Sequence, residues 1–210
     1  MFGTQHLLTF LIAAIALNLV PGQDTLYIIG RSLSQGRRAG IISVLGIGSG
    51  CLVHITAAAV GLYSVLALWP PAFNLIADAG ALYLIFLGIM VWVNRKSPDL
   101  SGKPGTASDS DWLIYRQGLM TNLLNPKVAL FFIAFLPQFI DPVSNLGAFS
   151  FLFLGFVFFC TGSIWCTFIA LFASSVADTL RDRPKIQTGF DLFTAMLFIA
   201  LGVGLFLTHM

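Results

Sequence analysis

The sequence predicts an all-α polytopic membrane protein with six transmembrane helices, and three observations support that fold class. Only 10% of the 210 residues are charged and 57% are hydrophobic, whereas a soluble domain carries about 25% charged residues. No Asp, Glu, Lys or Arg occurs in 1–23, 39–77, 142–177 or 192–210, and about 18 apolar residues are enough to cross a bilayer. Short segments rich in Gly, Pro and Ser separate the apolar runs, as loops between spans do.

The six spans follow in order from these apolar runs, with predicted limits of about 6–29, 41–68, 73–93, 117–140, 147–176 and 189–208. The first run has no Lys or Arg ahead of it, so it is interpreted as an uncleaved span and not as a secretory signal. In the second, Gly46 and Gly50 form a small-xxx-small face that lets helices approach closely. In the fifth, the stretch FSFLFLGFVFF (149–159) is expected to face lipid or to form the seam of a homodimer.

The positions of the basic residues predict the orientation of these spans. One of the eleven Lys and Arg is Lys127, inside span four, and the others lie in the first, third and fifth loops: Arg31, Arg37, Arg38, Arg95, Lys96, Lys103, Arg116, Arg181, Arg183 and Lys185. Short loops rich in Lys and Arg stay in the cytoplasm. The odd loops are therefore predicted to be cytoplasmic, with both termini outside if every span crosses. A first segment that dips in and returns would leave the loops unchanged and put the N-terminus inside.

Three spans in each half imply an inverted repeat. The chain is predicted to be a single transmembrane domain, 1–210, with halves at about 1–95 and 115–210 and a linker at 96–114. An odd number of spans per half turns the second half upside down relative to the first, as in inverted-repeat transporters. The segment NLVPGQD in span one and NLLNPKV in span four also correspond, because each holds a proline followed by one ionisable residue.

The first helix of each half is predicted to break at its proline. Pro21 lacks an N–H group and Gly22 is a poor helix former, so span one should be interrupted there. Asn125 has the chemistry of an N-cap and Pro126 that of a first helical residue, so span four should restart at that point. Interrupted backbone is tolerated in a membrane only where it faces protein or a water-filled cavity. Each break also creates a helix N-terminus, which attracts anions such as a carboxylate.

Asp24 and Lys127 are the ionisable residues well inside these two broken spans. A charge at the bilayer centre costs at least about 2.5–3.5 kcal/mol, so it is expected to have a partner or a function. At 1.5 Å per residue they lie about 7 Å and about 13 Å above the inner boundary, so an ion pair or a shared cavity is expected. Two structural alternatives stay open: Asp24 caps the restarted helix, and Lys127 only neutralises Asp24.

Other polar residues within the spans are weaker candidates. His54 is a candidate proton relay because imidazole titrates near neutral pH, although a histidine bonded to a neighbouring hydroxyl is an equal alternative. Thr161, Ser163 and Thr167 of span five are candidates for a polar path. The three cysteines, Cys51, Cys160 and Cys166, all lie in apolar runs and are interpreted as small hydrophobic residues, neither a disulfide framework nor a metal site.

Several other classes of protein lack their motifs in this sequence. The formal net charge of +2 is too small to indicate a nucleic-acid partner. The glycines of GIGSG (46–50) are not followed by GK[ST], so they do not form a phosphate loop. His6, His54 and His209 are scattered along the chain and no HExxH motif occurs. No cofactor is therefore expected, an enzyme is not predicted, and the absence of a nucleotide-binding motif favours a secondary transporter.

Two blocks of sequence resemble a known family, the LysE/RhtB family of bacterial inner-membrane amino-acid exporters. They are PGQDT (21–25) with RSLSQGRRAG (31–40), and GLMTNLLNPKVALFFIAFLPQF (118–139). Residue types, spacing, chain length and the order of hydrophobic segments agree over essentially the whole chain. One departure is Gln23, where the family commonly has a second proline.

The resemblance implies export of amino acids or related small metabolites from the cytoplasm, driven by exchange with protons. Asp24 would bind the substrate ammonium or the coupling proton. His54 is also a candidate for binding the coupling proton. Lys127 and the helix N-termini at Pro21–Gly22 and Pro126 would bind the substrate carboxylate. Asn18, Asn122 and Asn125 would supply neutral hydrogen bonds. Export of a cation, a metal or another small solute on the same scaffold is the alternative.

Overall fold

A computed structural model of the chain describes residues 3–69, 72–93, 109–141, 144, 146–173, 175 and 184–209. Its helices are α1 (Leu7–Leu19), α2 (Gln23–Ala57), α3 (Tyr63–Leu68), α4 (Ala72–Val93), α5 (Asp111–Leu123), α6 (Pro126–Leu130), α7 (Ala148–Leu171) and α8 (Pro184–His209). A π-helical turn at Ala58–Leu62 joins α2 to α3, and π and 3-10 turns at Phe131–Phe135 and Leu136–Phe139 extend α6. The described residues contain no strand beyond one isolated bridge, Thr4–Ile140. The predicted all-α class is confirmed.

Helix α2 is a hairpin of two arms rather than one straight rod. Gly36 has φ 82° and ψ 176°, a conformation open essentially only to glycine. Ile28 and Ile29 of the first arm pack in one cluster with Val44 and Ile47 of the second, although a straight helix would hold Ile28 and Val44 about 24 Å apart. The chain therefore reverses at Gly36, inside the predicted first loop SQGRRAG.

Both broken spans are interrupted where the prolines predict. Helix α1 ends at Leu19 and α2 begins at Gln23, on either side of Pro21. Helix α5 ends at Leu123 and α6 begins at Pro126, with a bend of 48° between Asp111–Leu123 and Pro126–Phe139. Spans one and four are therefore each two half-helices joined near their middle.

The helices pack across the two predicted halves. Helix α1 lies against α7, α5 lies against the second arm of α2, and α4 lies against α8. At the α2–α5 contact a Cβ on Gly46 would clash with the Tyr115 carbonyl, and one on Gly50 would lie 2.9 Å from the Asn122 side chain. The close approach predicted from the small-xxx-small pattern is thus confirmed. Each broken helix packs on the second span of the other half, as an inverted repeat requires; the repeat itself stays a prediction.

Aromatic side chains fill the core between α1, α7 and the extended α6. Phe10 meets Phe131, Phe135 and Phe139 with ring centroids 6.0, 6.4 and 5.4 Å apart. One face of α7 belongs to this core, because Phe151, Leu154 and Phe158 are buried. The expectation that the whole stretch 149–159 faces lipid or a second copy is therefore wrong for that face. The opposite face, with Phe149, Leu152 and Phe156, is exposed, and contact with lipid or a homodimer partner there stays a prediction.

Two described helical segments, Gln23–Leu66 and Ala148–Leu171, are long and apolar enough to cross a membrane, and the bent pair formed by Asp111–Leu123 and Pro126–Phe139 would be a third. Gln23–Leu66 includes the reversal at Gly36, so it cannot cross as one rod. Shorter apolar helices are present at Leu7–Leu19, Asn74–Met90 and Ala195–Gly204. These segments describe a multi-pass membrane protein, and six spans remain the sequence-based expectation.

The N-terminus and the basic first loop lie at opposite ends of the molecule. Arg38 binds Asp111 at the start of α5, whereas Thr4 bridges Ile140 at the far end of the same broken span. About 40 Å of helix separates those two ends at 1.5 Å per residue. Of the two alternatives for the first segment, this arrangement favours the one in which it crosses the membrane, and not the one in which it dips in and returns. Most of the linker 96–114 and the basic residues Arg95, Lys96, Lys103, Arg181 and Arg183 lie outside the described residues.

Candidate functional site

The break at Pro21 leaves backbone carbonyls without helical donors. The Leu17 carbonyl would normally accept from the residue four positions on, but that residue is Pro21, which has no N–H group. Val20 is extended, with φ −65° and ψ 118°, so its carbonyl also leaves the helix. Because lipid offers no donors, these carbonyls need partners from the protein.

Lys127 from the other broken span supplies them. Its Nζ donates to the carbonyls of Leu17 and Val20 over 3.2 and 3.1 Å. Gly22 leaves room for this contact, since a Cβ there would lie 3.2 Å from Nζ. Ion pairs among the described residues join Arg31 to Asp109 and Arg38 to Asp111. The expected direct pair between Lys127 and Asp24 is therefore not formed, because the lysine is held by the broken backbone.

Asp24 lies in the first turn of α2 with one carboxylate oxygen unused. Its Oδ2 accepts a hydrogen bond of 2.9 Å from Asn122 Nδ2, while its Oδ1 is buried without a hydrogen-bond partner. The N-cap of α2 is Gly22, and no side-chain cap is present. The alternative in which Asp24 caps the restarted helix is thus not what the structure shows. A buried, unpaired carboxylate oxygen instead suits a ligand that carries a donor.

The second break resembles the first, but its carbonyl keeps a backbone donor. Pro126 removes the N–H that would serve the Asn122 carbonyl in a continuous helix. That oxygen accepts instead from the Asn125 N–H over 3.0 Å, and His54 Nε2 lies 3.3 Å from it as a second partner. The carbonyl can only accept, so Nε2 carries the hydrogen in this contact. The His54 ring also stacks on Phe132, with centroids 5.9 Å apart. His54 is therefore a donor to the backbone at the break, and its partner is a carbonyl and not the neighbouring hydroxyl of the structural alternative.

Asn125 is the N-cap of α6, as predicted from its position before Pro126. Its Oδ1 accepts from the Lys127 N–H over 3.0 Å, and Pro126 occupies the first turn of the helix. This cap fixes the direction in which Lys127 leaves α6. Asn125 acts on the backbone, and it does not line the cavity described next.

The two breaks meet at a central cavity of about 50 Å³. Asn18, Asp24, Asn122 and Lys127 form its polar lining, together with Thr25, Ser163 and the backbone of Gly22. Its apolar lining comes from the second arm of α2 and from α6 and α7: Val44, Ile47, Gly48, Cys51, Val128, Phe158, Phe159, Gly162 and Cys166. The cavity is smaller than the roughly 300 Å³ of a typical ligand pocket, so it must widen to hold a ligand of ordinary size.

The structure brings together part of the predicted site. Asn18 and Ser163 line the cavity, and Asn18 donates to Thr161 Oγ1 over 3.1 Å, so Thr161 contacts the lining without belonging to it. Pro21 and Pro126 interrupt the helices but do not line the cavity. His54 and Thr167 also lie outside the lining. Sequence reasoning missed Gly48, Cys51 and Cys166. For Gly48 and Cys51 the available signal was helical spacing, because residues 44, 47/48 and 51 fall on one face of α2. Cys166 follows the same kind of spacing on α7, after Gly162 and Ser163.

A cluster of polar contacts, the arginine latch, joins the two broken spans at one end of the molecule. It consists of Tyr27 and Arg31 on the first arm of α2 with Asp109, Ile114 and Gln117. Arg31 binds Asp109 over 2.7 Å and also donates to Gln117 Oε1. The Tyr27 hydroxyl donates to the Ile114 carbonyl over 2.7 Å, and the Arg31 guanidinium lies 5.5 Å from the centre of the Tyr27 ring.

At the opposite end a second set of contacts, the N-terminal latch, joins residues 3–5 to 138–141. The Gln5 N–H donates to the Phe139 carbonyl over 2.9 Å, and the Asp141 N–H donates to the Gly3 carbonyl over 3.0 Å. Gln5 Nε2 adds a bond of 3.3 Å to the Gln138 carbonyl. The N-terminal latch therefore rests largely on backbone, whereas the arginine latch rests on side chains.

Comparison with known proteins gives one family and several full-length relatives. The family model described as LysE type translocator matches residues 15–209. An uncharacterized membrane protein of Vibrio cholerae is 30% identical over 93% of this chain and 94% of its own length. Two proteins named leucine efflux protein, from Enterobacter sp. and Klebsiella pneumoniae, are 28% and 27% identical over 99% and 97% of this chain, and over 98% and 96% of theirs. No solved structure matches the chain.

Proposed function

The chain belongs to the LysE type translocator family, and from that premise we propose that it exports amino acids with apolar side chains across the bacterial inner membrane in exchange for protons. It is a multi-pass membrane transporter and not an enzyme. The observation that carries the proposal is the central cavity, where an unpaired carboxylate oxygen of Asp24 and the ammonium of Lys127 lie beside an apolar wall.

An amino-acid zwitterion matches these groups. Its ammonium donates to Asp24 Oδ1, which has no other partner. Its carboxylate is bound by Lys127 and by the free N–H groups at the start of α2, where the helix dipole favours negative charge. Asn18 and Asn122 supply neutral hydrogen bonds, and Asn125 acts indirectly by holding Lys127. The side chain then faces the apolar wall, which suits the leucine that two relatives are named for.

Transport requires that the closed cavity opens to each side in turn. Opening the arginine latch exposes the cavity at the end predicted to be cytoplasmic, and opening the N-terminal latch exposes it at the other end. Both latches connect the two broken spans, whose central breaks offer natural hinges. Substrate enters through the arginine latch and leaves through the N-terminal latch.

Proton exchange is assigned to Asp24. A carboxylate that binds the substrate ammonium can instead bind a proton, so the two ligands compete for one site and are carried in opposite directions. His54 contacts Asn122 O over 3.3 Å, and Asn122 binds Asp24. It is therefore placed to affect the proton affinity of Asp24 through Asn122, without lining the cavity.

Inside-out membrane vesicles test the proposal. Labelled leucine should accumulate in the vesicles when their interior is acidic, and the accumulation should collapse when a protonophore removes the pH gradient. Vesicles lacking the protein serve as the background. Absence of uptake for leucine, alanine and phenylalanine under the gradient would overturn export of apolar amino acids.

Export of a cation on the same scaffold is the second candidate, because a buried carboxylate also suits a metal ion. No group of three or more His, Cys, Asp or Glu side chains with metal-binding geometry occurs among the described residues. The same vesicles supplied with a divalent cation in place of amino acids distinguish the two substrates.

A further inference from the structure

The apolar wall of the cavity contains two neighbouring phenylalanines that differ in how firmly they are held. Phe158 is buried, stacks on Phe131 with centroids 4.3 Å apart and meets Phe132 edge-on at 5.4 Å. Phe159 is half-buried and stacks at 6.2 Å on Phe156, which is itself 58% exposed. Phe158 is therefore a fixed part of the core, whereas the Phe159 ring has fewer restraints.

The Phe159 ring rests against a glycine on the facing helix. A Cβ built on Gly48 would lie 3.3 Å from Cε2 and 3.9 Å from Cζ of that ring. The first distance is tighter than an ordinary carbon contact of about 3.5–4.0 Å. Any side chain at position 48 therefore displaces the ring or takes volume from the cavity, and both residues line it.

We propose that the Phe159 ring, seated against Gly48, sets the largest side chain that the transporter exports. The inference rests on the proposed export of amino acids and adds the residues that determine specificity. With the charged end of the substrate held at Asp24 and Lys127, the side chain must lie along the apolar wall. Phe159 is the large, weakly held member of that wall, so its volume limits the volume left for the substrate.

The two positions predict opposite changes in selectivity. Removing the ring in Phe159→Ala or shortening it in Phe159→Leu opens room for aromatic substrates. Adding a methyl group in Gly48→Ala removes room and favours alanine over leucine. A single methylene in an apolar pocket changes selectivity by roughly 10-fold or more, so shifts of that size are expected in the phenylalanine-to-leucine and leucine-to-alanine export ratios.

The experiment measures uptake of alanine, leucine and phenylalanine, mixed in equal amounts, into inside-out vesicles. The ratios come from one preparation, so a variant with reduced folding lowers all three rates and leaves its ratios interpretable. Phe193→Ala removes an exposed ring elsewhere, and Gly30→Ala adds a methyl in α2 where nothing lies within 4 Å. Both controls should keep the ratios of the unmodified protein.

The outcomes separate this inference from the proposed function. A raised phenylalanine-to-leucine ratio for Phe159→Ala, with a lowered leucine-to-alanine ratio for Gly48→Ala, supports the size limit. Ratios that stay within twofold of the unmodified protein in all three variants overturn it, even though amino acids are exported. If the unmodified protein exports none of the three substrates, the proposed function itself fails.

Discussion

At the scale of single residues, the decisive group is the unpaired oxygen of Asp24. In Asp24→Asn the amide oxygen can still accept from Asn122, but the NH₂ group then faces the cavity and repels the substrate ammonium. We expect leucine export to fall at least about tenfold, since hydrogen bonds to charged groups contribute about 1.5–3 kcal/mol. Vesicle uptake at matched expression measures it. Asp78→Asn, the same change on α4 away from the cavity, should leave export intact; full export by Asp24→Asn would remove Asp24 from the mechanism.

His54 is expected to act as a donor to the Asn122 carbonyl. His54→Gln retains an N–H donor, whereas His54→Ala removes one of the two hydrogen bonds that the Asn122 carbonyl accepts and leaves only that from Asn125, at a cost of about 0.5–1.5 kcal/mol. We therefore expect His54→Gln to retain most of the export rate and its pH profile, and His54→Ala to lower the stability of the detergent-solubilised protein. A pH profile flattened in both variants would instead establish His54 as the proton relay.

At the scale of elements, the broken helix of span one depends on Lys127. Lys127→Met keeps the length of the side chain but removes the donor from the carbonyls of Leu17 and Val20. We expect a loss of stability of about 1–3 kcal/mol for each carbonyl left unpaired, measured by thermal unfolding in detergent. If Lys127 only neutralised Asp24, adding Asp24→Asn would restore that stability. We expect no restoration, because the unpaired groups belong to the backbone.

The breaks could be predicted from the sequence, but the contacts at them could not. Proline removes an N–H group and Asn125 caps a helix through local geometry, so the positions of both breaks follow from neighbouring residues. The partner of Lys127 depends on how two helices that are distant in sequence cross. Charge alone predicted Asp24 as that partner, whereas the structure shows two backbone carbonyls. The sequence did indicate that the Leu17 carbonyl would need a partner, because Leu17 lies four residues before Pro21, which has no N–H group to donate.

At the scale of the whole molecule, orientation can be tested with cysteines placed at the two ends. Gln5 is exposed and therefore suitable near the N-terminus, whereas Gly3 has φ +65° and is crowded by Ser150 and Ser144. With the native cysteines removed, Gln5→Cys and Leu146→Cys should react with an impermeant maleimide on intact cells, and Arg37→Cys should not. Equal labelling at positions 5 and 37 would contradict the predicted orientation.

Weakening the arginine latch is expected to raise the fraction of molecules whose cavity is open at that end. Asp109→Asn removes the ion pair with Arg31, so the cavity should open more often at that end. With Cys51 and Cys160 replaced by alanine, alkylation of Cys166 in inside-out vesicles should accelerate about fivefold if the pair contributes about 1 kcal/mol. Asp111→Asn removes the exposed pair with Arg38 and should not change the rate. An unchanged rate in Asp109→Asn would show that the latch does not control access.

The all-α, multi-pass class could be predicted because bilayer thickness constrains the length of apolar helices strongly, whereas six spans, the inverted repeat and the orientation stay predictions. The apolar lining of the cavity could not, since Cys51, Cys166 and Phe159 resemble any lipid-facing residue until the packing of α2 on α7 is known. Helical spacing identifies the cavity-lining face of a helix only after one residue of that face is known to line the cavity.

The two basic side chains at the breaks come from opposite halves of the chain. Lys127 donates to the Leu17 and Val20 carbonyls of the first half, and His54 adds a second donor to the Asn122 carbonyl of the second half, which also accepts from the Asn125 N–H. The first half therefore does not contain all the donors that its own backbone needs in lipid. A chain cut within the linker should yield a first fragment that is degraded when produced alone and that survives when produced with the second. The covalent join would then matter for synthesis in equal amounts, while the donors that the second half supplies to the first would hold the assembled fragments together.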